Sequence, residues 1–499
     1  MHKTILAVTA FFFLLGTRSS AQRTGAKQRE IVSGNDTCRI IDEYLTRLEQ
    51  VNHFSGGLLI IKDGRKLFCK GYGFADKEHQ VPFTPNTLAS MGSITKAFTA
   101  AAIMKLVEQN KLSPDDPLKN FFPNVPQDKE NITIHQLLTH SSGFHEFLKN
   151  DQGDYQRITK DEFLAQAFSE PLAFTPGEKA VYSNVGMSIL AMIIEKVSDL
   201  DYESYLKADL LNPIGINNLG YHYPPSSTDT IAVGYQDGKI WGTHQQHFNQ
   251  AGGGPYWKLK GNGGLEISLN EMFIWANAIT NHKVLSSLSI QKMFTPYIRE
   301  EGNNGESFFG YGCNISKSRR NTTVVGNGGS NGIYFARLLR YTEEGLVFYM
   351  VTNESSVNTN MVLPNVSQLY FLGKIVQDAM TTQQKFENPM SKHVYELLDR
   401  PGIKDLKTEL EKENLRIDDD MILLDVGQTL INEKKVDKAL LLYQYYTKAF
   451  PNIVVAWNDM GDVYLMKGDK EAAISCYKEA LKLRPGNERA KENLARLGQ

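Results

Sequence analysis

Ser93 and Lys96 stand three residues apart in Met91-Gly92-Ser93-Ile94-Thr95-Lys96. A serine hydroxyl is a poor nucleophile until a neighbouring base takes its proton. A lysine amine ordinarily titrates near ~10.4, but burial and the positive end of a helix both favour its neutral form, which can be that base. Apolar periodicity through Phe98, Ile103, Met104 and Val107, ended by Ser113-Pro114, predicts a helix that opens at Ser93 and carries Lys96 on the same side one turn on. The same S-x-x-K spacing recurs at Ser204/Lys207, Ser289/Lys292 and Ser475/Lys478, all inside helical runs. Ser93 alone among them follows a strand-rich stretch and begins its helix.

Two further stretches could complete such a site. Tyr182-Ser183-Asn184 follows Phe174-Thr175-Pro176-Gly177-Glu178, a turn that would project the triplet from a loop. A phenol can pass a proton to a leaving group and a carboxamide can hold a substrate amide. Taken alone, the triplet fits as well a buried tyrosine and an asparagine that caps the helix expected over residues 186–197. The second stretch, Val325-Gly326-Asn327-Gly328-Gly329-Ser330-Asn331-Gly332-Ile333, reads as two strands joined through a glycine-rich bend. It satisfies G-x-S-x-G, but a nucleophile elbow passes from strand into helix, whereas residues 333–338 read as strand. Ser330 is therefore a decoy nucleophile.

With these elements in place, residues 54–373 resemble the serine β-lactamase and penicillin-binding-protein-like family, especially its class C β-lactamase, D-alanyl-D-alanine carboxypeptidase and esterase branch. Leu112-Ser113-Pro114-Asp115-Asp116-Pro117 and Ile132-Thr133-Ile134-His135-Gln136-Leu137-Leu138-Thr139-His140-Ser141-Ser142-Gly143 are similar to that family as well. The resemblance implies an α/β sandwich, an antiparallel sheet flanked by helices plus a helical subdomain, with the active site between them. Carried over by motif, Ser93 is the acylated nucleophile, Lys96 its proton acceptor and Tyr182 the proton shuttle. Asn184, Asn327, Gly328 and Gly329 would bind substrate, and the backbone amides of Ser93 and Ser330 would form the oxyanion hole. The third motif normally begins with Lys or His, and Asn327 stands there instead. A neutral amide attracts a substrate carboxylate poorly, so the expected substrates are esters or amides without one. The competing reading is a binding module that has lost turnover through Asn327.

The elements that must position these residues occupy about two thirds of the chain. At 499 residues, with 41% hydrophobic and 22% charged residues, the composition is globular and the length suggests two or three units, at roughly 150 residues each. The expected hydrolase domain spans 34–384, and 385–419 is a linker with a helical segment. Behind it, Gly427 and Gly461, Ala439 and Ala473, Tyr443 and Tyr477, and Pro451 and Pro485 are each separated by 34 residues, the tetratricopeptide period. Two such units and a capping helix over about 488–497 are expected in 420–499, as a small all-α domain that offers a peptide surface or packs as an appendage. A helical stretch over 405–415 would cover the other end or dock the array on the first domain.

Formal charge is −2, so nothing favours nucleic acid as a partner. Lys3, an apolar run over 5–16 and Ser19-Ser20-Ala21 read as a cleaved signal over 1–21, whose loss takes the charge to −4 and implies a periplasmic or secreted protein. No membrane span is expected after cleavage. Cys38, Cys69, Cys313 and Cys476 are widely spaced and read as buried thiols. His135, His140 and His145, five residues apart, would be rotated around a helix, and His244 and His247 have no acid or Cys nearby in sequence, so no metal or cofactor is expected. Gly252-Gly253-Gly254 and Gly261-Asn262-Gly263-Gly264 lack a following Lys-Ser/Thr and read as turns at a pocket rim, lined by Tyr256 and Trp257.

Overall fold

The computed structural model describes residues 34–149, 151, 153–221, 230–236, 238–300, 307–318, 320–375, 389–417 and 420–498. The signal expected over 1–21 lies outside the described residues. Eight strands form one antiparallel sheet: β1 (Gly56–Lys62), β2 (Arg65–Tyr72), β3 (Ile298–Arg299), β4 (Ser307–Phe309), β5 (Asn314–Lys317), β6 (Thr323–Ser330), β7 (Phe335–Tyr341) and β8 (Leu346–Thr352). Their spatial order is β2-β1-β8-β7-β6-β5-β4-β3. The amino-terminal strand β1 thus pairs with β8, from Gly56 opposite Thr352 to Lys62 opposite Leu346. Around the sheet lie α1 (Gly34–Asn52), α2 (Thr95–Glu108), α3 (Asn184–Ser198), α4 (Leu269–Thr280) and α5 (Thr359–Leu372).

β1 and β8 are buried along nearly all of their length because both faces of the sheet are covered there. Leu58, Ile60, Phe348 and Met350 meet Ile41 and Leu45 of α1 and Val362 and Val366 of α5. Leu59, Ile61, Tyr349 and Val351 belong to the larger core with Phe98 of α2 and Trp275 of α4, whose rings stack at 4.1 Å. Successive side chains on a strand point to opposite faces, so a slip of one residue would exchange the two cores. α3 lies on the far side of α2, its residues 185–194 buried, and anchors the helical subdomain. The fold is the sandwich the resemblance implied.

The four cysteines are free thiols; Cys313 and Cys476 are buried as expected, whereas Cys38 and Cys69 are half-buried. Cys38 Sγ donates to the Leu67 carbonyl, which occupies it locally. The expectation about the histidines needs correcting in its reason: the helix there covers Ile134–Leu138 alone, so His140 and His145 are loop residues.

The carboxy-terminal region comprises α6 (Pro389–Asp399), α7 (Leu406–Lys412), α8 (Asp420–Asn432), α9 (Val436–Ala449), α10 (Val454–Lys467), α11 (Lys470–Leu483) and α12 (Glu488–Arg496). The 34-residue period has a steric cause. A Cβ on Gly427 would sit 2.4 Å from the Tyr443 hydroxyl, and one on Gly461 would sit 2.6 Å from the Tyr477 ring. Each glycine therefore admits the ring that fills the groove between paired helices. α6 and α7 add a pair ahead of the repeats, and Leu406 and Leu410 of α7 join the repeat core. At the other end Arg489 of α12 reaches the fully buried Asp459 of α10 at 2.7 Å, and Ala490 and Leu494 of α12 pack with Ala473, Tyr477 and Ala480 of α11. Among the described residues no helix is long and apolar enough to cross a membrane.

Candidate active site

Ser93 sits in a single 3₁₀ turn, Gly92–Ile94, that feeds directly into α2, and Lys96 lies in that helix's first turn. Met91 N–H donates to the Leu265 carbonyl, which ties the approach to this turn to the segment before α4. Gly92 has φ +50°, and a Cβ there would come 2.5 Å from the Ser330 nitrogen. A Cβ on Gly329 would come 2.0 Å from the Met91 carbonyl and 2.8 Å from the Ser93 nitrogen. Two glycines thus let the Ser93 turn rest against the end of β6, with the backbone nitrogens of Ser93 and Ser330 on either side of the contact. The first N–H groups of a helix have no partner within it, so such a juncture is a natural place for an anion.

Lys96 is buried, 2% exposed, and its Nζ lies 3.0 Å from Ser93 Oγ and 2.6 Å from the Asn262 carbonyl. Burial pulls its pKa down to about 7, against the opposing pull of the Glu146 and Asp154 charges. Among the described residues no carboxylate forms an ion pair with it. Asn262 is itself fixed, its amide donating to Ser188 Oγ and to the Lys258 carbonyl at 2.8 Å each. The sequence marked Gly261-Asn262-Gly263-Gly264 as a rim turn; the structure makes its carbonyl the second partner of the lysine. The signal available was the glycine-flanked asparagine, which says turn and nothing about what the turn faces.

The Tyr182 ring lies over Lys96, with Nζ 4.6 Å from its centroid, and the phenol is within hydrogen-bonding reach of Ser93. Burial raises the phenol's pKa above its ordinary value, so it is a proton donor at neutral pH. The residue that caps α3 is Ser183, whose Oγ accepts from Gly186 N–H at 3.0 Å, and not Asn184. Asn184 is left with a buried side-chain oxygen that has no hydrogen-bond partner. Leaving such an acceptor unmet costs ~1–3 kcal/mol, a cost that an incoming N–H group removes.

Asn327 faces inward on β6, where its Nδ2 donates to the Gly312 carbonyl at 2.7 Å. Gly328 is exposed beside it, opposite Arg337 on β7. Ser330 Oγ is exposed and accepts from Gly332 N–H at 2.8 Å, and the chain continues into β7, as expected of a turn residue and not of a nucleophile elbow. Beyond the turn, the Tyr155 hydroxyl shares a hydrogen bond with His244 Nδ1 at 2.6 Å, and the Trp241 and His247 rings lie 4.0 Å apart, tilted by 36°. Burial pushes His244 down to about 3, so it is neutral. Trp257, expected at the rim, packs instead against Lys160 and Lys260 in the helical subdomain.

A family model described as Beta-lactamase matches residues 41–371, and a model described as Tetratricopeptide repeat matches residues 454–487. The chain is 30% identical over 277 residues to "Putative penicillin-binding protein PbpX" of Bacillus subtilis (strain 168), which covers 55% of this chain and 66% of that one, just under two thirds of the relative's length. It is 24% identical over 323 residues to "Penicillin-binding protein 4*" of the same organism, over 62% of this chain and 70% of the relative. In three dimensions it is similar to the octameric penicillin-binding protein homologue from Pyrococcus abyssi, with a TM-score of 0.58, 28% identity and coverage of 72% of this chain and 80% of that one.

Proposed function

The chain belongs to the serine β-lactamase and penicillin-binding-protein-like family and carries a tetratricopeptide segment, and on that premise we propose that it is a serine hydrolase working through an acyl-enzyme. The observation that carries the reading is the buried Lys96 amine, held near pKa 7 and 3.0 Å from Ser93 Oγ. In its neutral form the amine takes the Ser93 proton as Oγ attacks an ester or amide carbonyl. The carbonyl oxygen gains negative charge between the N–H groups of Ser93 and Ser330, where each donor is worth ~2.7–4 kcal/mol in the transition state. Tyr182 protonates the departing alcohol or amine, and water then releases the acyl group with the proton returning along the same groups. The unmet Asn184 oxygen receives a substrate N–H.

The substrates are esters or amides without a carboxylate beside the reacting bond. Asn327 brings no cation and its amide is committed to Gly312, while the charges acting on Lys96 are those of Glu146 and Asp154. A substrate carboxylate would find no cation at Asn327, where the usual third motif offers attraction. The signal-like residues 1–21 support work outside the cytoplasm, and the repeat segment supports a protein or peptide partner for the tail.

Incubation with a fluorophosphonate, followed by peptide mass spectrometry, should place the adduct on Ser93 and lose it in Ser93→Ala. An intact, folded protein with no adduct would replace this reading with a non-hydrolytic binding module.

A further inference from the structure

The two halves of the site are held by different means. Ser93 and Lys96 ride on a helix packed against the sheet, whereas Tyr182 lies in an irregular segment ahead of α3. That segment is strapped to residues 140–146: Val181 N–H donates to the His140 carbonyl at 3.0 Å and Asn184 N–H to the Glu146 carbonyl at 3.1 Å. Between them, Ser183 N–H donates to His140 Nδ1 at 3.1 Å, and Ser183 Oγ donates to the His145 carbonyl at 2.8 Å. His140 is thus engaged through main chain and ring nitrogen, and its ring also packs on Tyr182 with centroids 4.8 Å apart. On its other side it meets Phe309 of β4 edge-on, again at 4.8 Å. It is a non-glycine residue at φ +57°, a left-handed conformation kept where the surroundings demand it.

Because Nδ1 accepts from a backbone N–H, the ring proton of the neutral imidazole is on Nε2. Burial and the nearby Lys96 charge push its pKa down to about 3, so it stays neutral while Lys96 titrates and is not itself a proton carrier at neutral pH. We propose that His140 is the positioning residue for Tyr182: its neutral imidazole, wedged between β4 and the phenol, sets the orientation from which Tyr182 protonates the leaving group. This rests on the serine-hydrolase reading above, and it assigns His140 a role through Tyr182 with no contact to substrate.

The test is a series of esters with one acyl group and leaving groups from p-nitrophenol to ethanol. A nitrophenolate departs without a proton, whereas an alkoxide needs one. His140→Leu and His140→Gln, which remove or displace the acceptor, should lose on the order of a hundredfold in kcat/KM on the ethyl ester. They should lose only a few-fold on the p-nitrophenyl ester. His140→Asn, whose side-chain oxygen can take the place of Nδ1 and which tolerates positive φ, should restore most of the ethyl-ester rate. If His140→Leu does not fold, the comparison of Gln with Asn decides. Equal losses on all leaving groups, or none, would overturn the positioning role while leaving the hydrolase reading intact. A wild type that hydrolyses none of the series and takes no fluorophosphonate would remove both.

Discussion

Two buried ionisable groups in this molecule differ in whether an opposite charge stands beside them. In the β-lactamase-like domain Lys96 is enclosed with a hydroxyl and a carbonyl as its polar partners and a tyrosine ring above it. In the repeats Asp459, equally enclosed, receives the Arg489 guanidinium at 2.7 Å, the Gln428 amide at 2.7 Å and the Tyr443 hydroxyl at 3.0 Å. Burying a charge without an opposite charge is costly, and the group answers by shifting toward its neutral form. The tail offsets part of the cost with a counter-ion from α12, although burial still holds the Asp459 carboxyl above its ordinary pKa. The cleft accepts the cost, and the result is an amine that is a base near neutral pH. On the proposed reading, the same desolvation that would be a defect in a scaffold is what activates the Ser93 hydroxyl.

The largest way to break this contrast is to remove the uncompensated group. Lys96→Ala should lower ester hydrolysis by on the order of 10²–10⁴ in kcat/KM while the protein keeps its fold, measured against a p-nitrophenyl ester. In the wild type, the working form is the neutral amine, so kcat/KM should rise with pH through a midpoint of about 7 and level off above it. A midpoint near an ordinary lysine's would contradict the assignment of Lys96 as base.

Next comes the compensated group. Arg489→Ala leaves Asp459 buried without its counter-ion, and orphaning such a charge costs roughly 3–5 kcal/mol. The guanidinium is 43% exposed, so the effect should lie at the lower end of that range. It should appear in denaturation of the helical tail, with hydrolysis by the first domain unaltered. A loss of activity that tracks the tail's unfolding would instead couple the two regions.

The smallest expected change sharpens the account of charge in the cleft. Asn327→Lys places a cation in the third motif, and labelling of Ser93 by a fluorescent penicillin, which carries a carboxylate, should speed up by about tenfold, the equivalent of ~1.4 kcal/mol. Slower labelling would mean that Asn327 acts through its hydrogen bond to Gly312 and not through its lack of charge.

Much of the site was legible in sequence because it is local. A serine opening a helix with a lysine three residues on must place both on one side, whatever surrounds the helix. The tetratricopeptide period is equally local, since each glycine meets a tyrosine only 16 residues away, Gly427 with Tyr443 and Gly461 with Tyr477. Assigning the α3 cap to Ser183 and not Asn184 was beyond the sequence, since serine is as good a cap as asparagine and two adjacent candidates cannot be told apart without the backbone.

What the tertiary structure decided are the contacts that span long stretches of chain. Asn262 reaches Lys96 across 166 residues and His140 reaches Ser183 across 43. The approach of Ser330 to Gly92 depends on how β6 meets the start of α2. Residue types and spacing determined which groups could react and where the helices begin. Packing alone determined the depth at which Lys96 is buried, and so its basicity, because desolvation is a property of everything around a group and not of its neighbours in the chain.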